Sequence, residues 1–361
     1  MSTGYSSFTD FWRGKRVLVT GHTGFKGTWL TLWLIRMGAK VTGLALQPNT
    51  RPNLFELTRN HERMTSHICD IREFENVKEI ITECRPEIVL HLAAQPLVRT
   101  SYRHPVSTYA SNVMGTVHVL DALRDLDSVR VAVMVTTDKI YRNLEHMFPF
   151  REDDMLGGHD PYSASKAAGE IVIASYRDAF MREQGTAIAS ARAGNVIAGG
   201  DWSEDRLIPD AMRAWQVGLT LEIRRPHAIR PWQHVLEPLH GYLTLAEKLW
   251  HSPEMAGAYN FGPFSHDTAS VKEVIEMARA SFGRGEVSYS EVSEGPHEAA
   301  RLTLETMKAR AVLNVRPRWS MSEAVSRTSA WYRAQLAGQD ARSLCMSDIA
   351  DFEVAVDKDR L

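Results

Sequence analysis

Short apolar runs alternate with longer, partly apolar stretches along the first 190 residues of the chain. The runs predict strands at 16–20, 40–46, 67–71, 87–94, 129–137 and 187–192, and the longer stretches predict helices at 25–38, 73–84, 105–125 and 162–184. Alternating strands and helices form parallel sheets, because right-handed crossovers place the helices on both faces. The pattern therefore predicts an α/β fold with a Rossmann-type doubly wound parallel sheet over residues 11–192.

The pattern becomes less regular after about residue 193, where glycine, proline and tryptophan are dense in NVIAGGDW and RRPHAIRPWQH. This composition is typical of ligand-binding loops. We assign residues 193–335 mainly to a smaller, mixed α/β lobe that binds the substrate, with a segment near 232–260 returning to the first domain. Residues 338–361 are polar and weakly patterned, which predicts a peripheral C-terminal tail.

The composition excludes several classes of function. With 42 Lys and Arg against 44 Asp and Glu, the net charge is −2 and gives no attraction to nucleic acid or to an anionic membrane. The three cysteines form no CxxC pair and none of the 14 histidines lies in a recognisable ligand motif, so we expect neither a disulfide framework nor a metal site. The N-terminus lacks the apolar core of a signal peptide and no stretch approaches the length of a membrane span, which predicts a soluble cytoplasmic protein.

A glycine-rich turn, TGHTGFKGT at residues 20–28, follows the first predicted strand and opens the first helix. Gly21 would permit the tight turn, Gly24 a close approach of the backbone to a pyrophosphate, and Gly27 close packing of helix on strand. This position between strand and helix favours dinucleotide binding over an ordinary loop. Two later features agree with it: Asp70 ends a predicted strand where it would meet the adenine, and HLAAQ at 91–95 places small residues against the sheet.

The position that binds the adenosine ribose is less regular. The second predicted strand runs VTGLALQ and ends without the Asp or Glu that usually holds the ribose hydroxyls of NAD, although the amide of Gln47 would substitute. A 2′-phosphate would require arginine at this strand end, where neither Lys26 nor Arg51 lies. The sequence therefore favours NAD over NADP.

YSASK at residues 162–166 places a tyrosine and a lysine on the same face of a helix, because the two are four residues apart. Tyrosine has a reference pKa of about 10, so it accepts an alcohol proton near neutrality only where positive charge stabilises the phenolate. Lys166 and an oxidised nicotinamide ring would supply that charge. YxxxK also occurs by chance on helix surfaces, but chance explains it poorly beside the glycine-rich turn.

These motifs together resemble the extended short-chain dehydrogenase/reductase superfamily and, in detail, its 4,6-dehydratases that act on CDP-glucose. The resemblance runs from about Phe11 to Gln335 and is carried by GHTGFKG, HLAAQPLVR, TTDK, YSASK, RAGNVIAGGDW, DRLIPD, RPWQHVLEPL and HEAARL. It implies NAD-dependent conversion of CDP-D-glucose to CDP-4-keto-6-deoxy-D-glucose, an early step toward deoxysugars of bacterial surface polysaccharides. It also implies a homodimer formed through the two long helices after the fourth and fifth strands.

The resemblance assigns roles within VTTDKIYRN, residues 135–143, where Asp138 stands beside Lys139. Tyr162 takes the proton of the glucose 4-hydroxyl, and Thr137 hydrogen-bonds the same oxygen while C4 is oxidised. Elimination of water then needs a base near C5 and an acid near C6. We predict a protonated Asp138 as the acid and a neutral Lys139 as the base, a pair that shares one proton. Two alternatives stay open: a charged Lys139 that stabilises the C4 enolate, and a plain salt bridge at a strand end.

The resemblance also implies the residues that bind the two ligands. Those predicted for the cofactor are Gly21, Thr23, Gly24, Phe25, Gly27, Asp70, Ile71, Leu92, Ala93, Ala94, Tyr162 and Lys166. Those predicted for the sugar nucleotide are Gln95, Asn195, Arg206, Arg230, Trp232, His234 and Arg301. Trp232 and His234 have an equally simple interpretation as core residues of the smaller lobe. Asn112 in NVMGT is either the superfamily asparagine that supports the helix beside the active site or a helix N-cap.

Three other functions stay open at this point. Two are a 4-epimerase and a dehydratase of another sugar nucleotide. An epimerase has no need of an acid and a base at C5 and C6, and the related dehydratases carry Asp-Glu where this chain has Asp138-Lys139. The third is a non-catalytic NAD-binding regulator, which would not need the predicted set of catalytic side chains.

Overall fold

The computed structural model describes residues 8–145, 147–264, 267–290 and 302–358. Its strands are β1 Arg16–Thr20, β2 Lys40–Ala45, β3 Thr65–Ile68, β4 Ile88–His91, β5 Val131–Val135, β6 Ala187–Ala193, β7 Val196–Ile197, β8 Thr220–Ile223, β9 Ile229–Arg230, β10 Gln233–His234, β11 Ala258–Phe261, β12 Ala269–Ser270 and β13 Glu286–Tyr289. Its helices are α1 Phe8–Trp12, α2 Phe25–Arg36, α3 Leu54–Leu57, α4 Phe74–Cys84, α5 Val98–Arg103, α6 Pro105–Tyr109, α7 Gly115–Leu123, α8 Pro161–Tyr176, α9 Arg182–Gln184, α10 Leu207–Gln216, α11 Leu236–His251, α12 Val271–Phe282, α13 Met307–Leu313, α14 Met321–Leu336 and α15 Ala341–Asp357. Shorter helical turns cover Asn60–Arg63, Ala110–Met114, Asp138–Ile140, Arg177–Met181 and Pro253–Met255. None of these described helices has both the length and the apolar character needed to cross a membrane.

Seven strands form one parallel sheet in the order β3-β2-β1-β4-β5-β6-β11. The chain leaves β1 toward β2 and β3 on one side and returns to β4 on the other, where Thr20 pairs with His91. This reversal opens a crevice at the carboxyl ends of β1 and β4, which is the usual ligand position in such sheets. The predicted Rossmann-type parallel sheet is confirmed.

Both faces of the sheet are covered, as its apolar strands require. All five residues of β5 and all seven of β6 are buried. Neighbouring residues of β1 point to opposite faces: Val19 packs into the core that includes α2 and α11, whereas Leu18 packs into the core that includes α4 and α7. The carboxyl ends of the strands are therefore fixed between two packed layers.

Several element bounds differ from those that the sequence predicts. The third strand ends at Ile68, so Asp70 and Ile71 lie in the loop that follows it. The helix predicted at 105–125 consists of α6, a π-helical turn and α7, and it ends at Leu123. The helix predicted at 162–184 begins one residue earlier, at Pro161, where the fixed φ of proline suits the first helical position.

Short strand pairs and helices build the smaller lobe. β7 pairs in parallel with β10, β8 pairs in parallel with β13, and β9 pairs antiparallel with β12. Helix α12 packs against α10 and α14, and α10 also contacts β8. Within the later part of the chain, β11 instead joins the main sheet beside β6, and α11 packs on β5 and β6. The smaller lobe is therefore a mixed α/β unit that adjoins the carboxyl end of β6.

The C-terminal segment differs from its prediction. Residues Ala341–Asp357 form helix α15, in which Cys345, Ile349 and Phe352 are buried. Phe352 packs edge-on against Trp33 of α2, with the ring centroids 5.7 Å apart. The predicted peripheral tail at 338–361 is wrong, because these apolar residues recur at helical spacing and bury one face of α15 against the core.

Candidate active site

A cavity of about 1800 Å³ lies at the carboxyl ends of β1, β4, β5 and β6 and extends into the smaller lobe. Its wall includes the glycine-rich turn after β1, the turn after β5, the start of α8, and the segments around β7, α10 and β8. Sites for one drug-sized molecule usually measure about 300–1000 Å³. The cavity therefore has room for two large ligands side by side, as a dinucleotide and a sugar nucleotide would require.

The glycine-rich turn has the backbone geometry that dinucleotide binding requires. Gly21 adopts φ +77°, and a Cβ at this position would lie 2.8 Å from the amide nitrogen of Ala93. A Cβ on Gly27 would lie 2.1 Å from the carbonyl oxygen of Gly21, so neither position accepts a side chain. Gly24 is the N-cap residue of α2, and residues 24–27 line the cavity. The start of α2 is therefore placed to bind an anionic group.

A buried chain of hydrogen bonds in the crevice between β1 and β4 was not foreseen from the sequence. Thr20 Oγ1 lies 2.7 Å from His91 Nδ1 and accepts hydrogen bonds from the amides of Leu92 and Ala93, both at 3.1 Å. His91 Nε2 lies 3.3 Å from Thr116 Oγ1, and burial lowers the pKa of His91 to about 3. A neutral imidazole thus braces the segment whose residues 92–94 line the cavity.

Asp70 lies beside the cavity in the loop after β3 and is held by Arg72. Arg72 Nε donates to the two Asp70 oxygens at 3.0 and 2.9 Å, and these bonds lower the pKa of the carboxyl. Gln47, which follows β2, lines the same cavity. Both side chains lie after the strands from which the sequence predicts adenosine contacts, and their roles stay predictions.

Tyr162 and Lys166 project from the first turns of α8 and line the cavity, with exposed fractions of 8% and 7%. Burial raises the pKa of Tyr162 to about 12, although a hydrogen bond with Thr137 acts in the opposite direction. The Lys166 amine donates to the carbonyl of Val135 at 3.3 Å, and burial lowers its pKa to about 8 against the attraction of Glu170. The protein's own groups therefore favour a neutral phenol. Its use as a base requires further positive charge, which an oxidised nicotinamide ring would bring.

The turn after β5 brings an acid and an amine into contact. Lys139 Nζ lies 3.0 Å from Asp138 Oδ1 and 3.2 Å from Asn195 Oδ1. Thr137 Oγ1 donates to the same Asp138 oxygen at 3.0 Å and accepts from the Lys139 amide at 3.4 Å. The Lys139 side chain is 27% exposed and lines the cavity, whereas the Asp138 side chain is 0% exposed. The two members of the predicted pair therefore differ in their access to the cavity.

Lys26, in the first turn of α2, is a cavity residue that sequence reasoning did not assign to the site. Its amine donates to Tyr242 Oη at 3.4 Å. Burial lowers the pKa of Lys26 to about 7, and the charges of nearby cations act in the same direction. Those cations are Arg206, Lys166 and Lys139. A wall with this many cations stabilises anions such as diphosphate, phenolate or enolate.

Asn112 lies in the π-helical turn between α6 and α7, a feature that is frequent at functional sites. Its Oδ1 accepts from the Gln95 amide at 2.8 Å, and its Nδ2 donates to Ser165 Oγ on α8 at 2.9 Å. The N-cap interpretation is wrong, since the side chain instead ties the loop after β4 to the helix that carries Tyr162. The Gln95 side chain bonds Leu97 in its own loop, so its predicted contact with the sugar nucleotide stays a prediction.

Several residues predicted for the sugar nucleotide line the cavity, namely Gln95, Asn195, Arg206, Arg230 and Trp232. His234 differs from them, because it is fully buried and packs edge-on against Trp29 and Trp319. Burial lowers the pKa of His234 to about 3. His234 is therefore a core residue, the alternative that the sequence left open, and its predicted pocket role is wrong. Arg301 lies outside the described residues.

Comparison with known proteins identifies the family. A family model described as GDP-mannose 4,6 dehydratase matches residues 18–328. The chain belongs to this family. A CDP-glucose 4,6-dehydratase of Salmonella typhimurium resembles this family member with 44% identity over 349 residues, which are 95% of this chain and 97% of that protein. A dTDP-glucose 4,6-dehydratase of Streptomyces griseus is 28% identical over 88% of this chain and 93% of that protein.

Solved structures show that this family member also resembles known proteins in its fold. A dTDP-glucose 4,6-dehydratase from Bacillus anthracis in complex with NAD superposes with a TM-score of 0.73 and 21% identity, over 89% of this chain and 97% of that one. A UDP-glucose 4-epimerase from Thermus thermophilus in complex with NAD gives a TM-score of 0.74 and 25% identity, over 88% of this chain and 98% of that one. The dehydratase-family fold therefore covers nearly the whole chain.

Proposed function

We propose that this family member is an NAD-dependent dehydratase that converts CDP-D-glucose to CDP-4-keto-6-deoxy-D-glucose. The observation that carries the proposal is that Tyr162, Lys166 and Lys139 line one cavity, with Asp138 in contact with Lys139. Tyr162 and Lys166 suit oxidation of an alcohol, and the contacting Asp138 and Lys139 suit elimination of water. The 44% identity to a CDP-glucose 4,6-dehydratase supports cytidine diphosphate as the nucleotide.

The cavity wall fits NAD in two respects. The tight turn at Gly21 and the close packing at Gly27 place Gly24, the N-cap residue of α2, at the cavity wall, where a pyrophosphate would approach the backbone. The small residues Ala93 and Ala94 line the cavity after β4. The end of β2 lacks an arginine for a 2′-phosphate, which favours NAD over NADP. NAD, when bound, would accept hydride from C4 of the sugar and later return it to C6.

We assign the first proton transfer, which accompanies oxidation at C4, to Tyr162. The phenol oxygen receives the proton of the 4-hydroxyl, and Thr137, which already interacts with the phenol, bonds the same sugar oxygen. Lys166, one helical turn after Tyr162 on α8, contributes positive charge to the site while it remains protonated, and its pKa of about 8 keeps much of that charge near neutral pH. The ring is fixed by α8, so the proton acceptor is held at a set place in the cavity.

The ketone formed at C4 acidifies the hydrogen at C5, which makes elimination of the C6 hydroxyl possible. This step requires one proton to leave C5 and one to reach the C6 oxygen. Asp138 and Lys139 are in contact at 3.0 Å, with Lys139 lining the cavity, and are assigned this step as a pair. A 4-epimerase would have no use for such a pair, which is why dehydration is favoured over epimerisation.

A homodimer is the proposed assembly. Helices α6 and α8 and the turn between α6 and α7 carry apolar side chains that are exposed in the single chain, namely Val106 at 82%, Tyr109 at 40%, Met114 at 48% and Ile171 at 63%. A second copy packed on these helices would remove that surface from water. Multi-angle light scattering tests the assembly, since a monomeric mass at micromolar concentration would contradict it. Location in the cytoplasm stays a prediction from the sequence.

A substrate panel tests the proposed function. The purified protein is incubated with NAD and, separately, with CDP-, dTDP-, UDP- and GDP-glucose, and the alkali-induced ultraviolet absorbance of a 4-keto-6-deoxy sugar is recorded. We expect a signal with CDP-glucose, and loss of about 10²–10⁴-fold in rate for Tyr162→Phe, which removes the proton acceptor. A signal with another nucleotide alone would overturn the cytidine assignment. Absence of signal with every sugar would overturn the proposed function.

A further inference from the structure

An ion pair joins the two lobes at the wall of the cavity. Arg99 lies in α5, after β4 of the parallel sheet, and Asp205 lies in the segment of the smaller lobe that leads from β7 to α10. Arg99 Nη1 is 3.3 Å from Asp205 Oδ1, and both residues line the cavity. Arg224, which follows β8, places its Nη2 3.9 Å from the same oxygen. We call Arg99 and Asp205 the interlobe pair.

The backbone at Asp205 adopts a conformation that its surroundings must maintain. Asp205 has φ +57°, in the left-handed region that few residues other than glycine adopt, although aspartate tolerates it better than most. Arg206 directly follows it but pairs with Asp201, where Arg206 Nη1 lies 3.6 Å from Asp201 Oδ2. Two adjacent residues of opposite charge thus have different partners, and the Asp205 carboxylate meets the first lobe.

The smaller lobe fixes the segment that carries Asp205. Arg213 of α10 donates to the carbonyl oxygens of Trp202 and Ser203 at 2.7 and 3.1 Å. On the other side of the pair, α5 packs on α8, the helix that carries the predicted proton acceptor. The interlobe pair therefore connects a braced segment of the smaller lobe with the helices of the active site.

The interlobe pair is accessible to water and is therefore opened easily. The Arg99 and Asp205 side chains are 29% and 33% exposed. Ion pairs with this exposure are weak and are screened by salt, so they add little to the stability of a fold. The same weakness suits a contact that breaks and re-forms in each catalytic cycle.

The proposed reaction needs such a contact because its intermediates are not covalently bound to the protein. After oxidation at C4 the sugar is a ketone, and the hydride returns to C6 only after water has left. A sugar nucleotide that dissociates between these steps removes the acceptor of the hydride and leaves NADH behind. Closure of a cavity over its ligand prevents losses of this kind.

We propose that the interlobe pair is a latch that retains the oxidised sugar nucleotide until the hydride has returned. Arg99 and Asp205 are positioning residues in this role, since they hold the smaller lobe against the first lobe and take no part in the proton transfers. The inference rests on the proposed function and extends it from the chemistry to the retention of the intermediate.

The first test counts incomplete turnovers. Protein, NAD and CDP-glucose are mixed, and the NADH that remains when product formation has ended is compared with the amount of product. Borodeuteride identifies released CDP-4-keto-D-glucose, because it places deuterium at C4 of a sugar that keeps its C6 hydroxyl. We expect Asp205→Asn and Arg99→Gln each to raise the ratio of NADH to product about two- to fivefold, the range for an ion pair with this exposure. An unchanged ratio would overturn the inference.

Two comparisons separate the latch from a general loss of structure or charge. Glu204→Gln removes the adjacent carboxylate and leaves the interlobe pair in place, so its ratio should equal that of the wild type. The double variant Arg99→Gln/Asp205→Asn should show no larger increase than either single variant, because both substitutions break the same pair. Increases that multiply in the double variant, or an equal increase in Glu204→Gln, would overturn the inference.

Release of CDP tests the latch without the reaction. Radiolabelled CDP is displaced from the protein by excess unlabelled CDP with NAD absent, and we expect the Asp205→Asn and Arg99→Gln variants to release it about two- to fivefold faster than wild type. Product from wild type, together with unchanged release and an unchanged ratio, would overturn the latch alone. Absence of product from wild type with every sugar of the panel would overturn the proposed function, and with it the retention of an intermediate.

Discussion

Two ion pairs near the carboxyl ends of β5 and β6 have the same charges but different surroundings. In the first, Glu170 of α8 and Arg192 of β6 lie 2.7 Å apart and are 4% and 5% exposed. In the second, Asp138 and Lys139 lie 3.0 Å apart, and only the amine reaches the surface. One Asp138 oxygen also lacks a partner within the described part of the chain. In the first pair both carboxylate oxygens are hydrogen-bonded and both side chains are buried, so the pair fixes a structure. The second pair presents an accessible amine to the cavity, where a proton transfer is possible.

Both carboxylate oxygens of Glu170 are hydrogen-bonded. The hydroxyls of Thr136 and Ser190 donate to its two oxygens at 2.5 and 2.7 Å, and Arg192 donates to the same oxygen as Ser190 at 2.7 Å. Arg192 also donates to Tyr141 Oη at 3.0 Å. Thr136 directly precedes the turn after β5 that carries Asp138 and Lys139, so the Glu170–Arg192 pair supports that turn.

The largest expected effect is on the Asp138–Lys139 pair, to which we assign the proton transfers of the elimination. Lys139→Met removes the amine, and we expect dehydration to fall by about a thousandfold, within the usual range for loss of a general base or acid. Lys139→Arg is the matched control, since guanidinium keeps the charge but does not lose its proton in proteins. Product formation should fail in both variants. Substantial turnover by Lys139→Arg would show that a fixed cation suffices, as in the alternative where Lys139 only stabilises the enolate.

Substitution in the Glu170–Arg192 pair should lower the free energy of unfolding. Arg192→Met leaves Glu170 buried without its cation, which costs about 3–5 kcal/mol of unfolding free energy for a buried pair. Arg182→Met is the control, because Arg182 is 74% exposed beside Asp178 and its loss should change little. Urea unfolding of the two variants measures the difference. Equal free energies of unfolding for Arg192→Met and Arg182→Met would show that the Glu170–Arg192 pair does not stabilise the fold.

Glu237 is a third buried carboxylate, and it should make the stability of the fold depend on pH. Glu237 accepts hydrogen bonds from the amides of Arg318 and Trp319 at 2.9 and 2.7 Å, and burial raises its pKa to about 7. The folded state therefore binds a proton that the unfolded state releases near pH 4.5, so stability falls as pH rises from 4.5 to 7, by about 3 kcal/mol. Glu237→Gln should abolish this part of the pH dependence. Parallel stability curves for variant and wild type from pH 4.5 to 7.5 would contradict the prediction.

The smallest expected effect concerns Tyr141, which follows the turn after β5 and links Arg192 to Asn260. Tyr141 Oη accepts from Arg192 and donates to Asn260 Oδ1 at 2.6 Å. Tyr141→Phe should lower the free energy of unfolding by about 1–2 kcal/mol, since one buried acceptor loses its donor. We expect the rate of product formation to stay close to that of the wild type. A large loss of rate would show that Tyr141 also takes part in the reaction.

The parts that the sequence predicts well are those set by local spacing. The glycine turn at 21, 24 and 27 and the Tyr162–Lys166 pair each lie within nine residues, so their geometry follows from one turn and one helix. The parallel sheet follows from alternating strands and helices. Helix α15 was missed, although the apolar spacing at 345, 349, 352 and 356 and an N-cap at Asp340 were present as signals.

The supporting contacts lie beyond sequence reasoning because the sheet assembles them from distant segments. Thr20 and His91 are 71 residues apart, and they meet because β1 and β4 are neighbours in the sheet. Glu170 and Arg192 are 22 residues apart and meet across α8 and β6. The burial of Asp138 likewise depends on packing by Gly194, not on its place beside Lys139. Spacing therefore predicts which groups take part, and packing decides which of them reach the cavity.

Transfer of the C4 hydrogen tests the central claim most directly. CDP-D-glucose deuterated at C4 is incubated with the protein and NAD in ordinary water, and the product is analysed by mass spectrometry and NMR. We expect CDP-4-keto-6-deoxy-D-glucose with deuterium at C6 and a hydrogen from solvent at C5. Recovery of a sugar that keeps both its C6 hydroxyl and its C4 deuterium, or is altered only in configuration at C4, would contradict dehydration.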